Sequence, residues 1–421
     1  MQHRTRGSSL RTLSVPSDGA LNMLSTAGVV LPATTLRREL PVSSVLLVVA
    51  LIAGCVPHSD EDVYASSSFW PVPADSSLWV PVRDAEGGAC QTCLTFEPLV
   101  SVVGDELPVG TRWVSADSLG RLWLGDVTGP SIFSSDGTFV AKVGRPGQGP
   151  LEFRSAGPIF TTSDGHVHVI DPSNGRWTTL SETLEVIREQ TFAGGRIQEA
   201  LPLGGSERLV LNATIGTPER LGLPLHLLKE DGLGVSFGNL EEGVIPLGLG
   251  LWRRISVDQE NNIFSAAHFA YQIDVWTPEG RRILGLRKAD AWREPPGGMP
   301  LGLSRDHPPG GLLIATRHRG SGLLEVISWV PKDTWAEELI EVVLPDGMID
   351  LTVAGPYSDL FDPVVEVIDL ATGRIVARSE APSALEGFLY DDMVYGHSES
   401  PDGFPRLTLY RLGWSGVVNP S

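Results

Sequence analysis

Cysteine is almost missing from this chain: three residues in 421, at Cys55, Cys90 and Cys93. One Cys-x-x-Cys pair with no second pair cannot supply the four ligands of a structural zinc site by itself. Histidine is also sparse, nine in all with seven after residue 88, and none sits in a recognisable ligand motif. Long helical periodicity is nearly absent, which argues against a helical architecture. No P-loop or dinucleotide fingerprint occurs beyond Cys55, so the common signatures of nucleotide sites are lacking. Positive charge is short as well: 32 Lys+Arg against 51 Asp+Glu give a formal charge of −19. Beyond Cys55 the balance is 27 to 49, about −22. So acidic a surface argues against nucleic acid or anionic membrane as a partner. It is compatible with cationic ligands or divalent ions, and equally with simple solubility.

What the chain has in abundance is turn chemistry. Its 47 Gly and 32 Pro are spread between short Val-, Ile-, Leu- and Trp-containing runs, the pattern of many short strands joined by tight turns. The organising stretch is Phe133 to Phe160. Asp136-Gly137 marks a hairpin, Phe139 to Gly144 reads as an alternating strand, and Arg145 to Phe153 is a Gly/Pro-rich crossover before a new strand near Pro158.

The N-terminus carries an export signal. Arg37-Arg38 precede the apolar run Val42 to Ala53, too short to span a bilayer comfortably. The run ends Ile52-Ala53-Gly54-Cys55, which resembles a bacterial lipobox and marks Cys55 for lipidation; a transmembrane anchor or an ordinary signal peptide is the alternative. Residues 1–54 are thus the signal region, with its signal peptide at about 37–54 and an expected translation start later than Met1, at Met23 or near Val30. Residues 55–88 are expected to form a tether. In an exported chain the Cys90/Cys93 pair reads most simply as a small-loop disulfide, with metal and redox roles as alternatives.

The hairpin unit repeats. Leu99 to Gly104 copies the shape of Phe139 to Gly144, and Trp113 to Leu124, Ile159 to Ile170 and Ile255 to Phe264 each join two alternating runs through an Asp-based turn. Leu122 and Val167 are 45 residues apart; Val167 and Ile263 are 96 apart, leaving room for a unit at Glu207 to Ala213. Leu312 to Thr316 opens a fifth unit with its outer hairpin at Val364 to Ser379. Between lies an expected insertion, 321–362, with a short helix at Lys332 to Val343. Leu385 to Tyr395 and Arg406 to Trp414 make a sixth unit that lacks one strand, which Leu99 to Gly104 can supply. The expectation is an all-β, six-bladed β-propeller over 89–416, its last blade closed by an N-terminal strand; seven blades would require splitting the insertion.

Val143 to Phe153 (VGRPGQGPLEF) resembles the Gly-Arg-x-Gly-x-Gly-Pro-Gly-Glu-Phe crossover of bacterial six-bladed β-propeller lipoproteins, relatives of NHL-repeat propellers. The resemblance spans about residues 90 to 415. It implies the propeller fold and little about activity. Leu151 stands where the pattern has Gly, so a positive φ is not expected there.

Candidate site residues follow from placement. Arg145 and Glu152 could bind a ligand near one mouth of the ring, or pin the crossover while Phe153 fills the gap between blades. His166 and His168 share one strand face, and His268, His318 and His397 lie near strand ends; together they could hold a divalent ion in the channel, or serve as ordinary structural histidines. Trp292, Trp329 and Trp335 flank variable loops and could stack on a carbohydrate or anchor a protein partner, or pack the insertion onto the ring. Gly320-Ser321-Gly322 lies in the expected insertion without a strand-to-helix turn. The resulting expectation is a lipid-anchored binding or protein-interaction module without a catalyst. A metal-dependent hydrolase or lyase with its site in the channel is the alternative. Val56 rather than Asp after the lipidated Cys points to the outer membrane.

Overall fold

The computed structural model describes residues 78–415, apart from 85–87, 105–106, 109–112, 193–194, 206, 239–251, 289–302, 345–347 and 391. Cys55 and Trp292 lie outside the described residues. Six sheets stand around a common centre, and the first strands of successive blades approach one another there. Blade 1 comprises Val114–Ala116, Leu122–Leu124, Ser131–Phe133 and Phe139–Lys142. Blade 2 comprises Ile159–Thr161, Val167–Asp171, Arg176–Leu180 and Val186–Thr191, and blade 3 Arg196–Pro202, Arg208–Thr214, Leu225–Lys229 and Gly232–Phe237. Blade 4 is built from Arg253–Val257, Ile263–Ala267, Gln272–Trp276 and Arg282–Arg287. Blade 5 uses Leu312–Gly320, Leu323–Pro331, Phe361–Asp369 and Arg374–Glu380. Blade 6 takes Ala384–Phe388, Met393–Glu399 and Pro405–Trp414 from the C-terminus and Leu94–Val103 from the N-terminus. The chain is a six-bladed β-propeller closed by its N-terminal strand.

The core lies between the blades. Six apolar clusters fill the six seams, one each. Because successive side chains of a strand point to opposite faces, a middle strand must be apolar on both. Leu122 and Leu124 pack into the seam with blade 6, while Trp123 between them packs into the seam with blade 2. Continuous runs such as Leu312–Ile314 have the same cause. Phe153, 1% exposed, fills the seam of blades 1 and 2; burying such a ring contributes about 1.5–3 kcal/mol. The Asp-based turns also have a direct reason. Asp117 Oδ1 accepts from the Leu119 and Arg121 amides, and its Oδ2 from Trp123 Nε1. Asp258 caps the equivalent turn of blade 4 through the Glu260 and Asn262 amides.

Antiparallel order gives the ring two faces. The blade-to-blade crossovers and the loops between second and third strands open on one, the crossover face. The tight turns occupy the other.

Four expectations are corrected. First, 55–88 is not all tether. Trp79–Pro81 adds in parallel to the outer strand of blade 4, and Arg83–Asp84 adds in parallel to that of blade 5. This strap covers two sheet edges that would otherwise stay unpaired. Trp79 lies 3.8 Å over the Arg282 guanidinium, and a Cβ on Gly285 would meet its ring at 2.7 Å. Second, 321–362 is not all insertion: Leu323–Pro331, apolar on both faces, is the second strand of blade 5, and Ser321 sits in a tight turn with φ 53°. Third, Lys332 to Val343 is not a helix. A 3-10 turn, Trp335–Glu338, leads into Leu339–Val343, which pairs with Ile349–Val353; β-branched Ile340, Val342 and Val343 favour the strand. Fourth, Leu151 does adopt positive φ, 53°. It keeps the left-handed conformation its glycine counterpart would take, and its side chain packs on the seam cluster. Among the described residues no helix is long and apolar enough to cross a membrane.

Candidate functional site

The crossover residues serve each other. Glu152 Oε2 accepts the Gln148 and Gly149 amides at 2.9 and 2.7 Å, and Oε1 pairs with Arg145. The Gly149 amide, then Arg145, holds the Glu152 carboxyl below its usual range. From blade 2, Arg176 donates to the carbonyls of Gly149, Gln148 and Glu152, and Asn174 to those of Gly147 and Glu152. The loop is a clamp on the outer strands of blade 2, and the Glu152 carboxylate is engaged within it. Arg176 and Asn174 carried no sequence signal, since their partners are backbone carbonyls more than 20 residues away.

The histidines do not converge. His168 is 1% exposed in the seam of blades 2 and 3, stacked on Phe160. Its Nδ1 accepts from Trp177 Nε1 and its Nε2 lies 3.0 Å from Thr162 Oγ1. Burial pushes its pKa down to about 4. It is a core histidine and does not reach the channel. His166 pairs with Asp164 at the tight-turn face. His318 stacks on Phe264 near Asp258, also on that face. His268 is at the crossover face, with Nδ1 2.9 Å from the Leu313 carbonyl and its ring beside Trp252 and Phe269. Among the described residues no three His, Cys, Asp or Glu side chains are grouped so as to hold a metal ion. Cys90 and Cys93 are joined as a disulfide. Cys90 bridges in parallel to Ala377 of blade 5, and the Cys93 carbonyl accepts from Ser415 next to blade 6.

The channel is crossed by charge. Glu199 of blade 3 pairs with Arg254 of blade 4 at 2.9 Å and accepts the Ile255 amide. Burial works against the Arg254 charge, but Glu199, with smaller help from Tyr395 and Glu386 of blade 6, outweighs it and raises the pKa. Glu386 Oε1 in turn lies 3.2 Å from His397 Nδ1. Beyond that contact His397 Nε2 is buried without a hydrogen-bond partner, unlike the ring nitrogens of His168 and His226.

His397 borders a cavity of about 390 Å³ that opens on the crossover face at the seam of blades 5 and 6. Trp329 and Phe361 form an aromatic side of it, their centroids 6.0 Å apart, with Trp329 Nε1 donating to the Leu385 carbonyl. Pro356 to Phe361 bring the insertion to its edge, and Glu380 to Ala384 bring the crossover into blade 6. Burial, reinforced by Glu338 and Glu399 and opposed by Lys332, raises the Asp359 pKa. Trp335 is not exposed but buried in the same seam, and Trp329 is half-buried, so both hold the insertion against the ring.

Fold and cavity together define a β-propeller of six blades with a loop-walled recess on its crossover face. No family model and no curated protein matches this sequence. Among solved structures, a candidate exported protein of Bacteroides fragilis superposes with a TM-score of 0.50 at 11% identity, over 79% of this chain and 99% of its own. A DUF4221 family member from Bacteroides vulgatus gives 0.48 at 8% identity, over 77% of this chain and 100% of its own. A virginiamycin B lyase of Staphylococcus aureus gives 0.39 at 11% identity, over 76% and 99%. At such identities the likeness concerns the fold alone.

Proposed function

We propose that the chain is an exported, lipid-anchored propeller that acts as a ligand-binding or protein-interaction module through its crossover face. The observation that carries this reading is the recess at the seam of blades 5 and 6. It has the volume of a small-molecule or side-chain site, and its walls come from the insertion and a crossover, the parts of a propeller free to vary without disturbing the seams. The lipobox ending at Cys55 supports anchoring, and Val56 after it supports the outer membrane. A carbohydrate or a protein segment is the expected partner class.

The test is a glycan and peptide array on the purified protein, followed by hydrogen exchange of the bound state. Protection at 356–363, 380–384 and 397–399 supports the module; protection confined to the tight-turn face overturns it. One observation favours an enzyme instead: His397 borders the recess with Glu386 Oε1 3.2 Å from its Nδ1, the pairing that orients a general base. Turnover of lactone or peptide substrates that is lost in His397→Ala, with or without an added divalent ion, would establish that second reading.

A further inference from the structure

We propose that residues 69–75 form a second strap, laid along the free edge of the outer strand of blade 3. Residues 67–75 and 76–84 are two copies of one nine-residue unit, Ser-Ser-Phe-Trp-Pro-Val-Pro-Ala-Asp and Ser-Ser-Leu-Trp-Val-Pro-Val-Arg-Asp. The serines coincide, as do Trp70 with Trp79 and Asp75 with Asp84; Phe69 answers to Leu78, and valine alternates with proline in both. The second copy is the strap itself, so a sequence of this kind suits the edge of a blade.

Direction chooses the blade. The strap runs parallel to the outer strands, from Trp79 opposite Gly285 to Pro81 opposite Arg287, where the outer strand of blade 4 ends. It then meets blade 5 with Arg83 opposite Arg374, where that outer strand begins. Extended backwards, the same path leads past the start of the outer strand of blade 4 to the end of that of blade 3. The two strands meet there, since a Cβ on Gly280 would lie 2.9 Å from the Phe237 ring. Among the described residues Gly232–Phe237 has no strand on its outer side, and Val235 is 50% exposed.

The edge also fits in detail. Of the six outer strands only those of blades 3 and 4 contain glycine. On blade 4, Gly285 makes room for the Trp79 ring over Arg282. On blade 3, a Cβ on Gly234 would meet nothing closer than 3.6 Å, with Lys229 Cε at 3.7 Å, so the strand offers Trp70 a cation beside a glycine in the same way. Pro71 and Pro73 lack their N–H on one and the same side of an extended chain. The other side keeps its donors for the blade, and the proline side refuses any further strand. Pro81 is placed likewise in the first strap, where Val82 beside it donates to the Arg287 carbonyl. For a chain anchored at Cys55, as proposed above, the free leash becomes 13 residues, 56–68, rather than 23, 56–78. Its reach falls from about 80 Å to about 45 Å.

The experiment is hydrogen exchange by mass spectrometry on the full chain in mild detergent. Amides of 69–75 are expected to exchange about tenfold or more slowly than those of 57–66. Trp70→Ala and Val235→Asp should each abolish that difference and speed exchange at 233–237. Lys229→Ala should speed exchange of 69–75 about two- to fivefold. Val140→Asp, the same change at a 51% exposed position on the outer strand of blade 1, should leave it unaltered. Equal rates over 57–66 and 69–75 in the wild type overturn the proposal. So does protection that survives Val235→Asp, that is lost in Val140→Asp, or that disappears on dilution, which would assign the segment to a second copy. The recess between blades 5 and 6 plays no part, so failure here leaves the binding module untouched.

Discussion

Lowering the pH from 7.5 to 5.0 should cost this propeller about 2 kcal/mol at each of two seam histidines, His168 and His226. Both have pKa values pushed down to about 4 from 6.5, mainly by burial. At His168 the indole of Trp177 can only donate, so Nδ1 must be the bare nitrogen and Nε2 carries the proton toward Thr162. A second proton would face the indole N–H. At His226, Nε2 donates to the Ala213 carbonyl and Nδ1 meets Ser236 Oγ at 2.7 Å. The unfolded chain binds a proton at each site as pH falls through 6.5, while the folded chain declines it until about 4. Stability is therefore complete above pH 6.5 and is lost progressively toward pH 4. The lowered carboxyls of Asp126, Asp164 and Glu152 add acid sensitivity of the same sign, but only below the ordinary carboxylate range. Asp359, raised instead, acts with the opposite sign and is common to wild type and variants. The assay is urea unfolding at both pH values, followed by tryptophan fluorescence, for wild type, His168→Gln and His226→Gln. The wild type should lose about 4 kcal/mol between the two pH values and each variant about 2. If His168→Gln keeps the whole pH dependence, the imidazole is not the neutral, dry group described above.

Gly144→Ala should destabilise by more than about 2 kcal/mol in the same urea assay, because a Cβ there meets the Leu151 carbonyl at 2.5 Å and the Phe153 ring at 2.6 Å with φ at 81°. Arg176→Ala should cost about 2–3 kcal/mol by leaving crossover carbonyls unpaired, while Arg145→Ala, at a side chain 77% exposed, should stay within about 1 kcal/mol; thermal melts separate the two. Reducing the Cys90–Cys93 bond, which closes a loop with a sequence separation of 3, should cost only about 2 kcal/mol and leave far-UV circular dichroism unchanged. Trp79→Ala should speed amide exchange at 80–84 before any other strand, since the stack on Arg282 is what seats the strap.

Blade count, the closing strand and the role of Phe153 were legible because each rests on local chemistry: Asp-based turns, period-two runs and a glycine-rich crossover. The strap was not. Trp79–Pro81 and Arg83–Asp84 are too short to alternate, and their partners lie about 200 and 290 residues downstream, a distance no spacing rule spans. Leu151 misled for a related reason. Positive φ is read from glycine, and here crossover geometry imposes it on a residue whose side chain the seam needs. For the recess, the sequence pointed to aromatic residues beside variable loops but not to Asp359, Glu386 or Glu399, since acidic residues in loops look alike until a seam brings them together. His397 was visible only as one histidine among several; its pairing with Glu386 depends on adjacent strands of one blade.

The strap also decides how the molecule bears load. A pull directed along Trp79–Pro81 strains the bonds of that strand to blade 4 together in shear rather than unzipping them singly. Force that passes them meets Arg83–Asp84 on blade 5, then Cys90 on the same blade, before it reaches Leu94–Val103, the strand that closes the ring. The closure joint, where N- and C-terminal strands share one sheet, is thus the last to feel tension. For a ring held to a surface by its N-terminal segment, the strap works as a strain relief between leash and closure.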